Sequence, residues 1–207
     1  MNSPVYFIGV AGNIGVGKTT MTDIIARNFG WRAYYESVID NPYLEDFYAD
    51  MRQWSFHLQV YFLSHRFKTH KQMTESPIST VQDRTIYEDV EIFARNLYEM
   101  GYMSKRDWDN YSALFEIMTS YLKRPDLIIY LRASVDTLLT RIKKRSRGFE
   151  RDISPEYIYR LNLSYERWIK REQEKSPVLI VETDHFNVFE DLDELENILH
   201  KIRTYCP

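Results

Sequence analysis

Eight consecutive residues constrain this chain more than any other feature: Gly12-Asn13-Ile14-Gly15-Val16-Gly17-Lys18-Thr19. They match G-x-x-x-x-G-K-[S/T] at every fixed position, directly after an apolar run at 5–10 and ahead of a helical pattern at 19–29. Glycines let successive backbone N–H groups curl inward around an anion, and the positive end of the following helix adds to that field. Lys18 can reach the β- and γ-phosphates of a nucleotide, the Thr19 hydroxyl can ligate Mg²⁺, and Thr20 completes the set. A ligand-free glycine turn has no need of the strand before it and the helix after it. The expected ligand is a nucleoside triphosphate, ATP or GTP, and a chain that begins strand–loop–helix is expected to continue as an α/β fold.

Composition narrows the class. With 207 residues, 44% hydrophobic and 15% aromatic, the chain can bury one core, so a single domain over 1–207 is expected and a disordered chain is excluded. No apolar run approaches the roughly 20 residues that span a bilayer, and the first residues lack the basic start of a signal peptide. The 27 Lys+Arg against 30 Asp+Glu lack the basic excess of a general nucleic-acid binder. One cysteine, Cys206, cannot form an internal disulfide, which suits a cytoplasmic location. No membrane or nucleic-acid partner is expected.

Five runs read as strands: 5–10, 32–35, 80–82, 127–131 and 178–181. Most are nearly continuous in apolar character rather than alternating, as in parallel strands covered on both faces. Helical patterns fill the intervals at 19–29, 43–73, 86–100, 104–122, 135–145, 154–173 and 188–202, with Ser154-Pro155 as a helix start and Gly101 as a stop. Alternating strands and helices predict a three-layer α/β domain with a five-stranded parallel sheet.

Three further groups of residues bear on the chemistry. Glu36 ends the second strand, where open α/β sheets bind ligands. Beside a triphosphate, its useful task is to take the proton of a neutral attacking hydroxyl; the plain alternative is an exposed strand-end glutamate. Asp83-Arg84 ends the third strand, placing a carboxylate for Mg²⁺ and an arginine for the transferring group; the alternative is a structural pair closing the next helix. Residues 141–151 carry six basic side chains, with Arg141 and Arg145 on one helix face and Arg147 before Gly148. A lid over about 141–153 would supply charge to the phosphates and exclude water, whereas most charge runs are merely solvated. On the long helix, Gln59, Phe62 or Leu63, and Arg66 share a face, and Asp89 and Phe93 on another helix could add a charge partner and a stacking ring. Periodicity alone favours the plainer reading, with Phe62, Leu63 and Phe93 as core and Gln59 in solvent. His57, His65, His70, His185 and His200 show no metal spacing and are assigned no role.

Taken together, these segments resemble the deoxynucleoside kinase family, in particular its bacterial members acting on deoxyadenosine, deoxycytidine and deoxyguanosine. The likeness runs from the phosphate loop to about Trp168 and rests on GNIGVGKT, Tyr35-Glu36-Ser37-Val38, Asn41-Pro42-Tyr43-Leu44 leading to Phe47-Tyr48, Trp54-Ser55-Phe56 to Gln59, Gln82-Asp83-Arg84 and the arginine-rich stretch. The resemblance implies that Glu36 is the general base on the nucleoside 5′-hydroxyl, with Arg84 beside it. It implies that Tyr48 and Glu150 hold the sugar 3′-hydroxyl, that Gln59 bonds the nucleobase and that Phe93 stacks on it. Arg66 and Asp89 match the pair of members that accept cytosine or purines, and Arg141, Arg145 and Arg147 match lid arginines. A homodimer through helices within 86–122 is implied as well. Thr85 stands where members often have serine, and Ser37 where animal members often have proline. A purine deoxynucleoside is the favoured substrate, with deoxycytidine alongside.

The nearest alternative is a nucleoside monophosphate kinase such as thymidylate kinase, but that family places an arginine beside the strand-two carboxylate, where Tyr35 stands here. A GTPase-type switch lacks support, since no Asn is followed by Lys and no D-x-x-G occurs.

Overall fold

The computed structural model describes residues 4–35, 41–145 and 153–207. Its sheet has five strands, β1 (Phe7–Ala11), β2 (Arg32–Tyr34), β3 (Thr80–Asp83), β4 (Leu127–Arg132) and β5 (Val178–Glu182), in the order β2-β3-β1-β4-β5. Every neighbouring pair is parallel. Successive strand residues point to opposite faces, and all of Phe7–Ala11 and Thr80–Asp83 are buried, so helices cover both sides of the sheet centre. Buried apolar side chains from strands and helices join in one connected core.

The helices are α1 (Lys18–Phe29), α2 (Leu44–Ala49), α3 (Met51–Thr74), α4 (Ile86–Glu88), a π-helical segment (Asp89–Ala94), α5 (Arg95–Glu99), α6 (Lys105–Thr119), α7 (Val135–Arg145), α8 (Pro155–Glu172) and α9 (Leu192–Tyr205). The expected α/β sheet with five parallel strands is present, and three helical expectations need correction. The pattern at 43–73 is two helices, because Asp50 leaves helical geometry and its carboxylate caps α3 by accepting the Gln53 N–H at 3.1 Å. The body at 86–100 is helical throughout but widens into π geometry at Asp89–Ala94. Ser154 does precede Pro155 at the start of α8, yet its hydroxyl makes no capping bond.

With β3 on one side of β1 and β4 on the other, the connections diverge at the carboxyl end of β1 and leave a crevice there. Val10 is in register with Asp83 and Ile129. The loop leaving Ala11 and the residues leaving Asp83 therefore emerge side by side.

Candidate active site

The phosphate loop has the backbone its glycines allow. Gly12, Gly15 and Gly17 hold φ of 148°, 85° and 106°. At Gly12 a side chain is excluded twice over, since a Cβ would lie 2.7 Å from the Leu131 carbonyl oxygen. Lys18 is buried and folds back over the loop, its Nζ donating to the carbonyls of Gly12 (2.9 Å) and Asn13 (3.0 Å). The Asn13 Oδ1 accepts the Ile14 N–H, and its Nδ2 donates to the Ile158 carbonyl and Asn162 Oδ1 of α8. Arg141 fastens the far side of the loop: its guanidinium donates to the Val16 carbonyl at 3.2 Å and to the Thr183 hydroxyl at 3.0 Å.

At the end of β3, Asp83 is buried and accepts the Thr19 hydroxyl on Oδ2 at 2.6 Å. Its other oxygen, Oδ1, is buried without a hydrogen-bond partner. A buried acceptor with nothing to accept from, next to a hydroxyl at a phosphate loop, fits a hard divalent cation with oxygen ligands. Asp83 and Arg84 do not close the next helix as a structural pair. That helix is capped by Thr85 and Glu88, with Glu88 Oε1 accepting the Thr85 N–H at 2.7 Å. Arg84 is the one non-glycine with positive φ (67°) among the described residues. Three contacts hold that strained residue: its N–H donates to the Val10 carbonyl, its carbonyl accepts Arg66 Nη1 at 3.0 Å, and its guanidinium lies 4.1 Å over the Phe93 ring.

From the loop a cavity of about 700 Å³ runs toward α3 and the π segment. Ile14, Gly15, Gly17, Lys18, Thr19 and Thr20 line one end; Tyr48, Gln59, Phe62, Asp89, Phe93 and Tyr157 line the other, with Asp83 and Arg84 between them. Gln59 is 2% exposed, so it does not face solvent as periodicity favours, and its Oε1 is a buried acceptor without a partner. Phe62 and Phe93 also line the cavity, whereas Leu63 is core. Arg66 is buried and stands behind the wall rather than in it, its Nε donating to Asp89 Oδ2 at 2.7 Å. A second cavity of about 620 Å³ shares Gly17, Thr20, Arg141 and Lys144 with the first and extends along 183–191.

A phosphate cradle, a carboxylate–hydroxyl pair and a largely apolar chamber with the unpartnered Gln59 oxygen in one crevice are what a phosphotransferase for a flat heterocyclic substrate requires. The deoxynucleoside kinase family model matches residues 8–207. The chain belongs to that family. It is 43% identical to the deoxyadenosine/deoxycytidine kinase of Bacillus subtilis over 199 residues, covering 95% of this chain and 91% of that one. With the deoxyguanosine kinase of the same organism it shares 37% over 177 residues, 86% of this chain and 84% of the relative. The solved structure of M. mycoides deoxyadenosine kinase with bound dATP superposes with a TM-score of 0.83 at 31% identity, covering 94% of this chain and 99% of that one.

Within this deoxynucleoside kinase, Tyr48, Gln59, Asp89, Phe93, Arg84, Lys18, Thr19, Asp83, Arg141 and Arg145 all converge on the first cavity. Glu36, Arg147 and Glu150 lie outside the described residues. Gly12, Asn13 and Val16 shape the loop from behind rather than lining that cavity. Tyr157 and Lys144 line the cavity as well, and buried Glu88 lies behind the loop, its Oε2 accepting the Gly12 N–H. Tyr157 had a signal, since Tyr157, Leu161 and Tyr165 recur every four residues as the buried stripe of α8. Glu88 had one too: Thr85-x-x-Glu88 is a capping box.

Proposed function

We propose that the enzyme phosphorylates a purine deoxynucleoside, deoxyadenosine or deoxyguanosine, with deoxycytidine as a further acceptor, in cytoplasmic nucleotide salvage. The observation that carries this is the unpartnered Oε1 of buried Gln59 at the far end of the cavity that begins on the phosphate loop. Such an oxygen calls for the N–H of a nucleobase, and Asp89 and the Phe93 ring supply a second polar contact and a stacking surface. Held there, the nucleoside directs its 5′-hydroxyl back to the loop. Glu36 takes the proton as the 5′-oxygen bonds to the γ-phosphorus, and the bond to the β–γ bridging oxygen breaks to release the nucleoside diphosphate. Tyr48 and Glu150 hold the sugar, and Arg84 sits beside the transferring group. Lys18 leaves the loop carbonyls for the phosphates, while Arg145 and Arg147 approach from the lid. The second cavity takes the donor's nucleoside, with ATP or GTP as donor. Thr19 and Asp83 are the residues that would hold Mg²⁺. When bound, that ion neutralises charge on the β- and γ-phosphates.

The test is a phosphorylation assay across the four deoxynucleosides, their ribose counterparts and thymidine monophosphate. Turnover highest with a purine deoxynucleoside is expected; consumption of the monophosphate with nucleosides ignored would overturn the reading. No observation favours the thymidylate-kinase-like alternative. A homodimer through helices within 86–122 is part of the proposal, supported by exposed Leu114 and Ile117 on α6 and exposed Tyr121 just past its end. None of the helices among the described residues is long and apolar enough to cross a membrane.

A further inference from the structure

Glu88 is wholly buried, and no lysine or arginine pairs with it among the described residues. Its two oxygens accept four uncharged donors: Oε1 takes the Thr85 N–H (2.7 Å) and hydroxyl (3.2 Å), Oε2 the Tyr165 hydroxyl (2.8 Å) and the Gly12 N–H (3.3 Å). Burying a carboxylate without a counter-charge is costly, and a helix cap does not demand it, because glutamine completes a capping box as well as glutamate does. What demands a carboxylate is the second oxygen. The Gly12 N–H can only donate, so an amide –NH₂ in that place, even when donating to the Tyr165 phenol oxygen, would leave that N–H without an acceptor. The three donor residues belong to three parts of the machinery: Gly12 opens the phosphate loop, Thr85 follows Asp83-Arg84, and Tyr165 belongs to α8, the helix that follows the basic stretch. Asn13, the next loop residue, is bonded to the same α8 through Ile158 and Asn162. Burial, and then the charge of Glu88, push the Tyr165 phenol well above its ordinary range, so it stays a donor at working pH.

We propose that Glu88 is a positioning residue of phosphoryl transfer, a clamp that fixes the first peptide of the phosphate loop against the helix carrying Asp89 and Phe93. It touches neither substrate. It sets the spacing between the donor cradle and the acceptor wall, and it withholds the Gly12 N–H from the ring of loop amides facing the phosphates. The Gly12 carbonyl is held by Lys18 only until that ammonium turns to the nucleotide, after which Glu88 is the remaining anchor on this side of the loop. The inference rests on the phosphotransfer reading given above.

The test compares Glu88→Gln, which keeps the capping box, with Glu88→Asp, which keeps the charge but withdraws it by one methylene. Asp50→Ala, which removes the cap of α3 and touches no bond of Glu88, is the control. For both Glu88 variants we expect kcat to fall about 10- to 100-fold, the scale of a reacting group misplaced by an ångström. The ATP dissociation constant, read by calorimetry, is expected to rise about fivefold or more while KM for deoxyadenosine stays within about twofold. Asp50→Ala is expected to lower the melting temperature and keep kcat. Unchanged kcat and ATP affinity in a folded Glu88→Gln or Glu88→Asp protein would overturn the proposal, as would equal losses toward both substrates. If Glu88→Gln does not fold, Glu88→Asp decides. A wild-type protein that binds ATP and phosphorylates no deoxynucleoside would sink the functional reading instead, and the ATP comparison would still judge the clamp.

Discussion

At the scale of single residues, chemistry and structure share the same side chains. Arg66 was legible as one of a charge pair with Asp89, and the pair is present, but its place behind the cavity wall was not legible, since periodicity assigns a face and not a depth. Its guanidinium bonds both Asp89 and the carbonyl of strained Arg84, so it conditions the base pocket and the reaction centre together. Arg66→Met strands a buried carboxylate and is expected to cost about 3–5 kcal/mol of stability in denaturant titrations, with kcat falling too. The double change Arg66→Met, Asp89→Val should recover most of that stability and shift nucleobase preference; a double variant as unstable as the single one would refute the account. Glu36→Gln is expected to leave ATP affinity near wild type and to cut kcat by about 100-fold or more, measured under saturating substrates. His70, to which its spacing assigns no metal role, is a buried histidine whose Nε2 lies 2.7 Å from the Lys123 carbonyl. Burial, opposed by that bond, holds its pKa below the ordinary 6.5. A depressed histidine pKa contributes stability that is whole above the unfolded value and lost as pH falls through the folded one. The melting temperature is therefore expected to drop below pH 6.5 more steeply in wild type than in His70→Phe, and parallel curves would count against it.

At the scale of elements, the central strands β1 and β4 were the most legible part, because a parallel strand buried on both faces writes itself as a nearly uninterrupted apolar run. Helix interiors were less so. The pattern at 43–73 carries its aromatics straight through Asp50, hiding a break that only the side chain's bond to the Gln53 N–H discloses. The π segment had no compositional mark at all, and it holds Asp89 and Phe93, the partners of Arg66 and Arg84. Asp50 also separates α2, which carries Tyr48 to the cavity, from α3, which carries Gln59. Removing a cap loosens the first turn of a helix without emptying the site. Asp50→Ala is expected to cost about 1 kcal/mol in chemical denaturation, with Asp50→Ser close to wild type and KM for the nucleoside barely changed. Equal stabilities for the alanine and serine variants would show that the cap contributes nothing.

For the whole molecule, alternation of strands and helices predicts a parallel sheet but is silent on strand order, which depends on where each crossover lands. The observed order sets β1 between β3 and β4, and this alone brings Thr19, Asp83 and Arg84 to one crevice from positions 65 residues apart in the chain. Tyr111 is wholly buried, while Leu114 and Ile117 on α6 and Tyr121 just past its end stand 38%, 62% and 80% exposed. Scattered apolar residues on a surface need no explanation, but several gathered along one helix and its end would suit the proposed dimer surface. A two-fold axis would pair that group with its own copy, covering the same residues on both chains. Ile117, in the middle of the group, would then lie near the axis, where a charge meets a like charge as well as an apolar wall. Ile117→Glu is accordingly expected to halve the mass measured by light scattering at micromolar concentration, with the wild type at twice the chain mass. The melting temperature of the variant should also lose its dependence on protein concentration. A wild type of single-chain mass, or a variant still paired, would place the dimer elsewhere or remove it.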